Sequence, residues 1–216
     1  MNYLQLVNGV LSRMREDTVT TVQSSGDVVV DIVADLVNDA KQLVEDSHDW
    51  NALRYSWPVT TADGTSTYTL ADSADRVTVE YVLHDDGGYV DNRTLQYIRS
   101  RKATTSNATE RPIAYAFNGA LANGDKKIEL YPTPNAAYNI EAHGFKGQPA
   151  LSSDTDVLLV PSKPVLYWAL SLAARERGEV GGQTAAELFS LAQTFMSDAI
   201  ARDSALNPLD DIWTVM

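Results

Sequence analysis

The chain has 216 residues, 44% of them hydrophobic and 21% charged, the balance of an ordinary globular protein long enough to bury a core without staples. It contains no cysteine, which excludes thiol catalysis, disulfides and Cys-ligated zinc and leans towards a cytosolic setting. A net charge of −12 argues against tight binding of a phosphate backbone and suits a surface that repels nucleic acid.

The first predicted element is a helix over residues 3–14, where Tyr3, Leu4, Leu6, Val7, Val10, Leu11 and Met14 recur at helical spacing. Arg13 and Arg15 near its end suit the helix dipole, and Gly9 costs it about 1 kcal/mol. A Thr/Ser/Gly-rich loop over 18–26 leads to a second helix from Asp27 to Asp46. At about 100° per residue, Asp27, Asp31, Asp35, Asp39, Glu45 and Asp46 fall in a sector of roughly 120°. Val29, Ile32, Val33, Leu36, Val37, Ala40, Leu43 and Val44 are expected to form the opposite, buried side. Like charges at this spacing each cost about 0.2–0.5 kcal/mol, so burial of the aliphatics has to hold the helix. The acidic side must then face water, a basic partner or a channel for a polyanion.

From Trp57 the period changes. Residues 67–70, 76–83, 113–117, 127–131 and 138–145 read as strands, separated by turn signals at Asp63-Gly64, Gly87-Gly88, Asn123-Gly124 and Pro132-Thr133-Pro134. Residues 94–102 suit a short helix or a loop. Helical spacing returns at Ser162, a candidate cap with Pro164 in the first turn, and runs to about Arg177. Glycines at 178, 181 and 182 break it, and Thr184 with Glu187 has the form of a capping box for a last amphipathic helix. Residues 205–216 lack helical period, contain Pro208 and carry Leu206, Leu209, Ile212 and Trp213. An apolar end of this kind either folds back or orders on a partner with Trp213 as anchor.

This order of elements predicts an α+β fold. A helical bundle takes two N-terminal and two C-terminal helices, with an antiparallel β-sandwich or barrel-like domain inserted and an extended C-terminal arm. The expected boundaries are 1–55, 56–160, 161–204 and 205–216. No apolar run approaches the 18 or so residues of a membrane span, and in residues 1–14 the charges follow the apolar part, the wrong order for a signal peptide. No membrane partner is therefore expected.

Chemistry-bearing motifs are sparse. His48, His84 and His143 stand in no metal-binding spacing; His48 reads as a polar helix end and His84-Asp85-Asp86 as a hairpin turn. Neither a nucleophile elbow nor a phosphate loop occurs. No catalytic residue, metal or cofactor is expected, which leaves a β-domain hydrolase as the weakest reading. Arg93, Arg99, Arg101 and Lys102, with Tyr97 among them, form one basic cluster: a solvated face, a nucleic-acid patch, or an interface for an acidic neighbour.

The segments YLQLVNGVLSRMRED (3–17), DIVADLVNDAKQLVEDSHDWNALR (31–54), YTL (68–70), YAFNG (115–119) and LYPTP (130–134) resemble the head-to-tail adaptor, head completion or connector proteins of tailed bacteriophages, with the tail tubular A-type adaptors as relatives. The resemblance implies a non-enzymatic virion protein of the neck, assembled in the host cytoplasm. It implies a ring of about twelve copies beneath the portal protein, a tail protein below, and double-stranded DNA passing through without specific binding. On that basis Leu206, Pro208, Leu209, Ile212 and Trp213 form a portal-binding arm. Asp27, Asp31, Asp35 and Asp39 line the channel or a subunit interface. A tail terminator or nozzle component is the alternative within the same class.

Overall fold

The computed structural model describes residues 1–23, 26–104, 109–177 and 183–206. The chain divides into a helical unit, Met1–Leu53 with Gln148–Met216, and a β unit, Arg54–Gly147.

In the helical unit, α1 (Tyr3–Arg13) opens with the capping box of Asn2 and Gln5, whose side chains and backbone N–H groups satisfy one another. Helix α2 (Val28–Asp46) is capped by Asp27, which accepts from the Val29 N–H at 2.8 Å. Helices α4 (Ser162–Glu176) and α5 (Gln183–Ser204) complete the unit; α1, α2 and α4 pack on one another, and α5 packs along α4. Ser162 is already helical, so the cap falls to Pro161 and no side chain bonds the first turn. Thr184 likewise stands inside α5 rather than before it.

One core runs through this unit, from Leu6, Val7, Val10 and Leu11 of α1 to Val33, Val37 and Val44 of α2 and Val165, Leu166 and Ala169 of α4. The glycine of α1 has a packing reason. A Cβ on Gly9 would stand 3.0 Å from Leu166 Cδ1, so its absence lets α1 and α4 approach.

The strand spacing assigns residues up to 160 to the β region, yet 148–160 belongs with the helices. It contributes Leu151, Leu158 and Val160 to their core. Polar clamps hold it there: Asn38 donates to the Leu151 carbonyl at 3.1 Å and accepts from its N–H at 2.8 Å, and Tyr3 N–H donates to the Asp156 carbonyl at 2.9 Å. Two N–H groups, of Ser152 and Ser153, each 2.8 Å from the Asp156 carboxylate, hold its pKa below the ordinary value.

The β unit contains β1 (Arg54–Thr60), β2 (Thr67–Thr69), β3 (Val77–His84), β4 (Tyr89–Asn92), α3 (Leu95–Thr104), β5 (Ala114–Ala120), β6 (Lys126–Tyr131) and β7 (Asn139–Lys146). Its strands form one seven-stranded sheet in the order β1-β7-β3-β4-β5-β6-β2. The sheet is mixed rather than antiparallel, because β4 and β5 run parallel across the α3 crossover. It curls nearly into a barrel around Trp57, Leu70, Val82, Tyr115, Ile128, Leu130 and Ile140. Gly144 on β7 lies where β3 carries a bulge between Val79 and Tyr81. A Cβ there would meet the Thr78 carbonyl oxygen at 1.9 Å, so only glycine fits.

Candidate assembly surfaces

The exposed side of α2 is acidic as its sequence predicts, with one correction and one addition. Asp31, Asp35 and Asp39 are exposed, and among the described residues no cation stands within ion-pairing distance of any of them. Asp27 is spent partly on its own helix as the cap. Glu45 leaves the stripe altogether. It is buried and pairs at 3.1 Å with the equally buried Lys41, whose Nζ also donates to the Gln148 carbonyl at 2.6 Å. The i, i+4 spacing turns both side chains inward, towards a segment the sequence places more than a hundred residues away.

The addition is apolar. Ile32 and Leu43, expected in the core, are 45% and 46% exposed, and Val28 is 69% exposed. The buried arc of α2 is narrower than its aliphatic content, and the surplus lies beside the aspartates. The Asp35 charge also reaches inward: burial first and then this carboxylate raise the pKa of Tyr3, whose hydroxyl donates to the Ala34 carbonyl at 3.3 Å.

Two aromatic pairs, half-buried apart from the exposed Phe189, join α4 to α5. Tyr167 of α4 lies 4.9 Å from the Phe195 ring of α5, and Trp168 meets Phe189 at 5.4 Å. Arg13 stands 5.7 Å over Tyr167 and Lys163 Nζ 5.3 Å over Phe195. Nothing in the periodicity of α4 or α5 singles out these four rings, since aromatic residues at helical spacing are the usual sign of a core.

The end of α5 is tied down before the chain leaves it. Asp203 accepts from the Asn51 N–H at 3.1 Å and lies 3.2 Å from His48 Nε2, so His48 serves as a helix-end partner. Leu206 follows and is 71% exposed. Pro208, Leu209, Ile212 and Trp213 lie outside the described residues.

In the β unit the basic cluster is internally engaged. Arg93 pairs with Asp91 at 2.9 Å, Lys102 with Glu129 at 2.7 Å, and Arg99 donates to Asn118 at 3.3 Å, which fastens α3 to β5 and β6. Arg93 and Arg101 both stand over the Tyr97 ring, at 5.8 and 5.4 Å. Beside the β3–β4 turn, a cleft of about 460 Å³ is lined by His84, Asp86, Tyr89, Arg111 and Ile113. Its carboxylate and guanidinium pair with each other, and the Arg111 contact, with the Gly88 N–H, lowers the Asp86 pKa to about 2. Among the described residues no group of three or more His, Asp or Glu is placed to hold a metal ion, and no helix is long and apolar enough to cross a membrane.

The chain is thus a helical unit with an acidic outer face on α2 and an aromatic seam on α4 and α5, carrying an inserted β unit. The family model for the SU10 adaptor protein matches residues 1–210, and the chain belongs to this family of bacteriophage head-to-tail adaptors. No curated protein matches the chain.

Proposed function

We propose that the protein forms a ring, of about twelve copies, between the portal protein and the tail, with double-stranded DNA passing through its centre. The match to an adaptor family over residues 1–210 carries this reading. The net charge of −12 supports a passage without adhesion, because like charges repel across a narrow pore. The role is structural, with no bond made or broken, and its place is the neck of the virion. The segment from Leu206 to Trp213 docks on the portal, with Trp213 as its anchor. The exposed Arg93–Tyr97–Arg101 stack of the β unit offers a place to an acidic neighbour.

Two measurements test this. Labelled protein is located in negatively stained particles, where density anywhere but the neck overturns the adaptor reading. Removal of residues 207–216 is expected to leave the helical circular dichroism unchanged and to abolish capture by purified portal; a truncated chain that still docks refutes the arm.

A further inference from the structure

The acidic outer face of α2 and the half-buried aromatic seam beside Arg13 and Lys163 are unlike each other and lie on different sides of the helical unit. At 100° per residue, Lys163 and Tyr167 fall within about 40° of one another on α4. Arg13 of α1 and Phe195 of α5 close on them, so this patch fills the seam between α1 and α5. Trp168 lies about 100° further round, on the side where Ser47 at the end of α2 reaches Met196 of α5 at 3.3 Å. Helix α2 thus packs on the other side of α4 and turns Val28, Ile32 and Leu43 outward with Asp31, Asp35 and Asp39.

The faces also match in chemistry and size. One is aliphatic and acidic; the other is aromatic and bordered by Arg13 and Lys163, with Leu191 38% exposed beside Phe195. Helix α2 has 19 residues and α5 has 22, about 28 and 33 Å of helix. Docking α2 on the α2 of another copy would set two rows of aspartate against each other, which like-charge repulsion disfavours. Docking it on the α1–α5 seam sets the aspartates against Arg13 and Lys163, with Glu187 and Asp198 of α5 kept to the rim beyond Leu191.

We propose that the subunit junction of the ring is this heterologous contact, the outer face of α2 on one copy seated on the Arg13–Lys163–Phe195 seam of the next. The proposal rests on the ring reading above and adds which surfaces meet. Two different complementary patches on one chain generate a closed cycle when the rotation between copies closes, whereas a self-complementary patch stops at a pair. The unpaired aspartates then belong to the junction rather than the channel wall.

The absence of cysteine makes the junction testable by oxidation. Ile32→Cys and Leu191→Cys are made singly and together, and the products are read by non-reducing electrophoresis from concentrated protein and from assembled particles. The single variants are expected to stay monomeric alone and to give a disulfide-linked dimer when mixed, and the double variant to give a ladder. A single variant that dimerises by itself as strongly as the mixture overturns the proposal, as does a double variant that enters particles normally and gives no ladder. Charge reversal supplies a second readout. Asp31→Lys with Asp35→Lys, or Arg13→Glu with Lys163→Glu, is expected to abolish self-association, and mixing the two variants to restore it. Failure of the mixture to associate, with circular dichroism unchanged, refutes the pairing. A ladder from particles whose label lies outside the neck would sink the adaptor reading and leave the junction standing. A neck label without a ladder would do the reverse.

Discussion

Lys41→Met is the substitution with the largest effect that the helical unit allows us to work out. The Lys41 and Glu45 side chains are 2% and 1% exposed, and their 3.1 Å contact is worth about 5 kcal/mol at an effective dielectric of 20. Desolvation of both charges offsets most of that, so the pair as a whole adds little to stability. Removing one partner is different. It takes the buried cation from beside the Glu45 carboxylate and the 2.6 Å donor from the Gln148 carbonyl, where the second half of the unit begins. The expected loss is about 3–5 kcal/mol, which at this chain length lowers the melting temperature by on the order of 10 °C. Urea unfolding followed at 222 nm reads the helical unit. The double variant Lys41→Met/Glu45→Leu should recover most of the loss. A single variant costing less than about 1 kcal/mol, or a double variant worse than the single, would refute the reasoning.

Asp39→Asn should raise the stability of the helical unit by a few tenths of a kcal/mol through relief of repulsion along α2. Asp31→Asn should not, because Asp31 stands in the first turn and also favours the helix dipole; paired melts of the two variants separate the effects. Gly144→Ala should destabilise the β unit far more than Gly87→Ala, since the first drives a Cβ into the Thr78 carbonyl and the second meets only an unfavourable positive φ of 84°. Soluble yield and thermal melts rank them, and equal effects would contradict the close β3–β7 approach. The Asp86 carboxyl should titrate near 2 by carbon-detected NMR and return towards its ordinary value of about 3.9 in Arg111→Gln. With the folded value depressed, whatever the pair contributes is fully present above about pH 4 and is lost as pH falls through 2.

Four of the helices and five of the strands are legible because their apolar residues repeat with one clear period each, whereas α3 buries only Ile98 and reads equally as a loop. Strand β1 is not, because Pro58 sits in it. Proline is tolerated there only because β1 ends the strand order and has a free edge. Strand β4 is four residues long and mostly exposed, too short to show alternation. The acidic face of α2 could be read from spacing alone, but the inward turn of Glu45 could not, since it depends on where residue 148 lies. The same holds for Ile32 and Leu43: aliphatics on a helix announce burial, and only the position of the neighbouring helices shows which are left over. Within the basic run, Arg99 and Lys102 look free until the fold brings Glu129 beneath them, whereas Arg93 and Arg101 stay exposed over the Tyr97 ring.

The two units should also be separable, and the reason lies in the register of the β unit. Its first strand pairs with its last, Arg54 opposite Phe145, so the two ends of the insertion leave the sheet side by side. The Cα atoms of such a pair are about 5 Å apart, a gap that two or three glycines bridge without strain. Each unit has its own core, and no residue of one core cluster belongs to the other unit. Residues 54–147 expressed alone are therefore expected to fold and to melt in one cooperative transition. Residues 1–53 joined by a short glycine linker to 148–216 should retain the helical signal at 222 nm and the penalty of Lys41→Met. If the linked helical unit instead loses that penalty or fails to protect the α2 amides from hydrogen exchange, the insertion is helping to hold the helices together. The separate-core account of this fold would then fail.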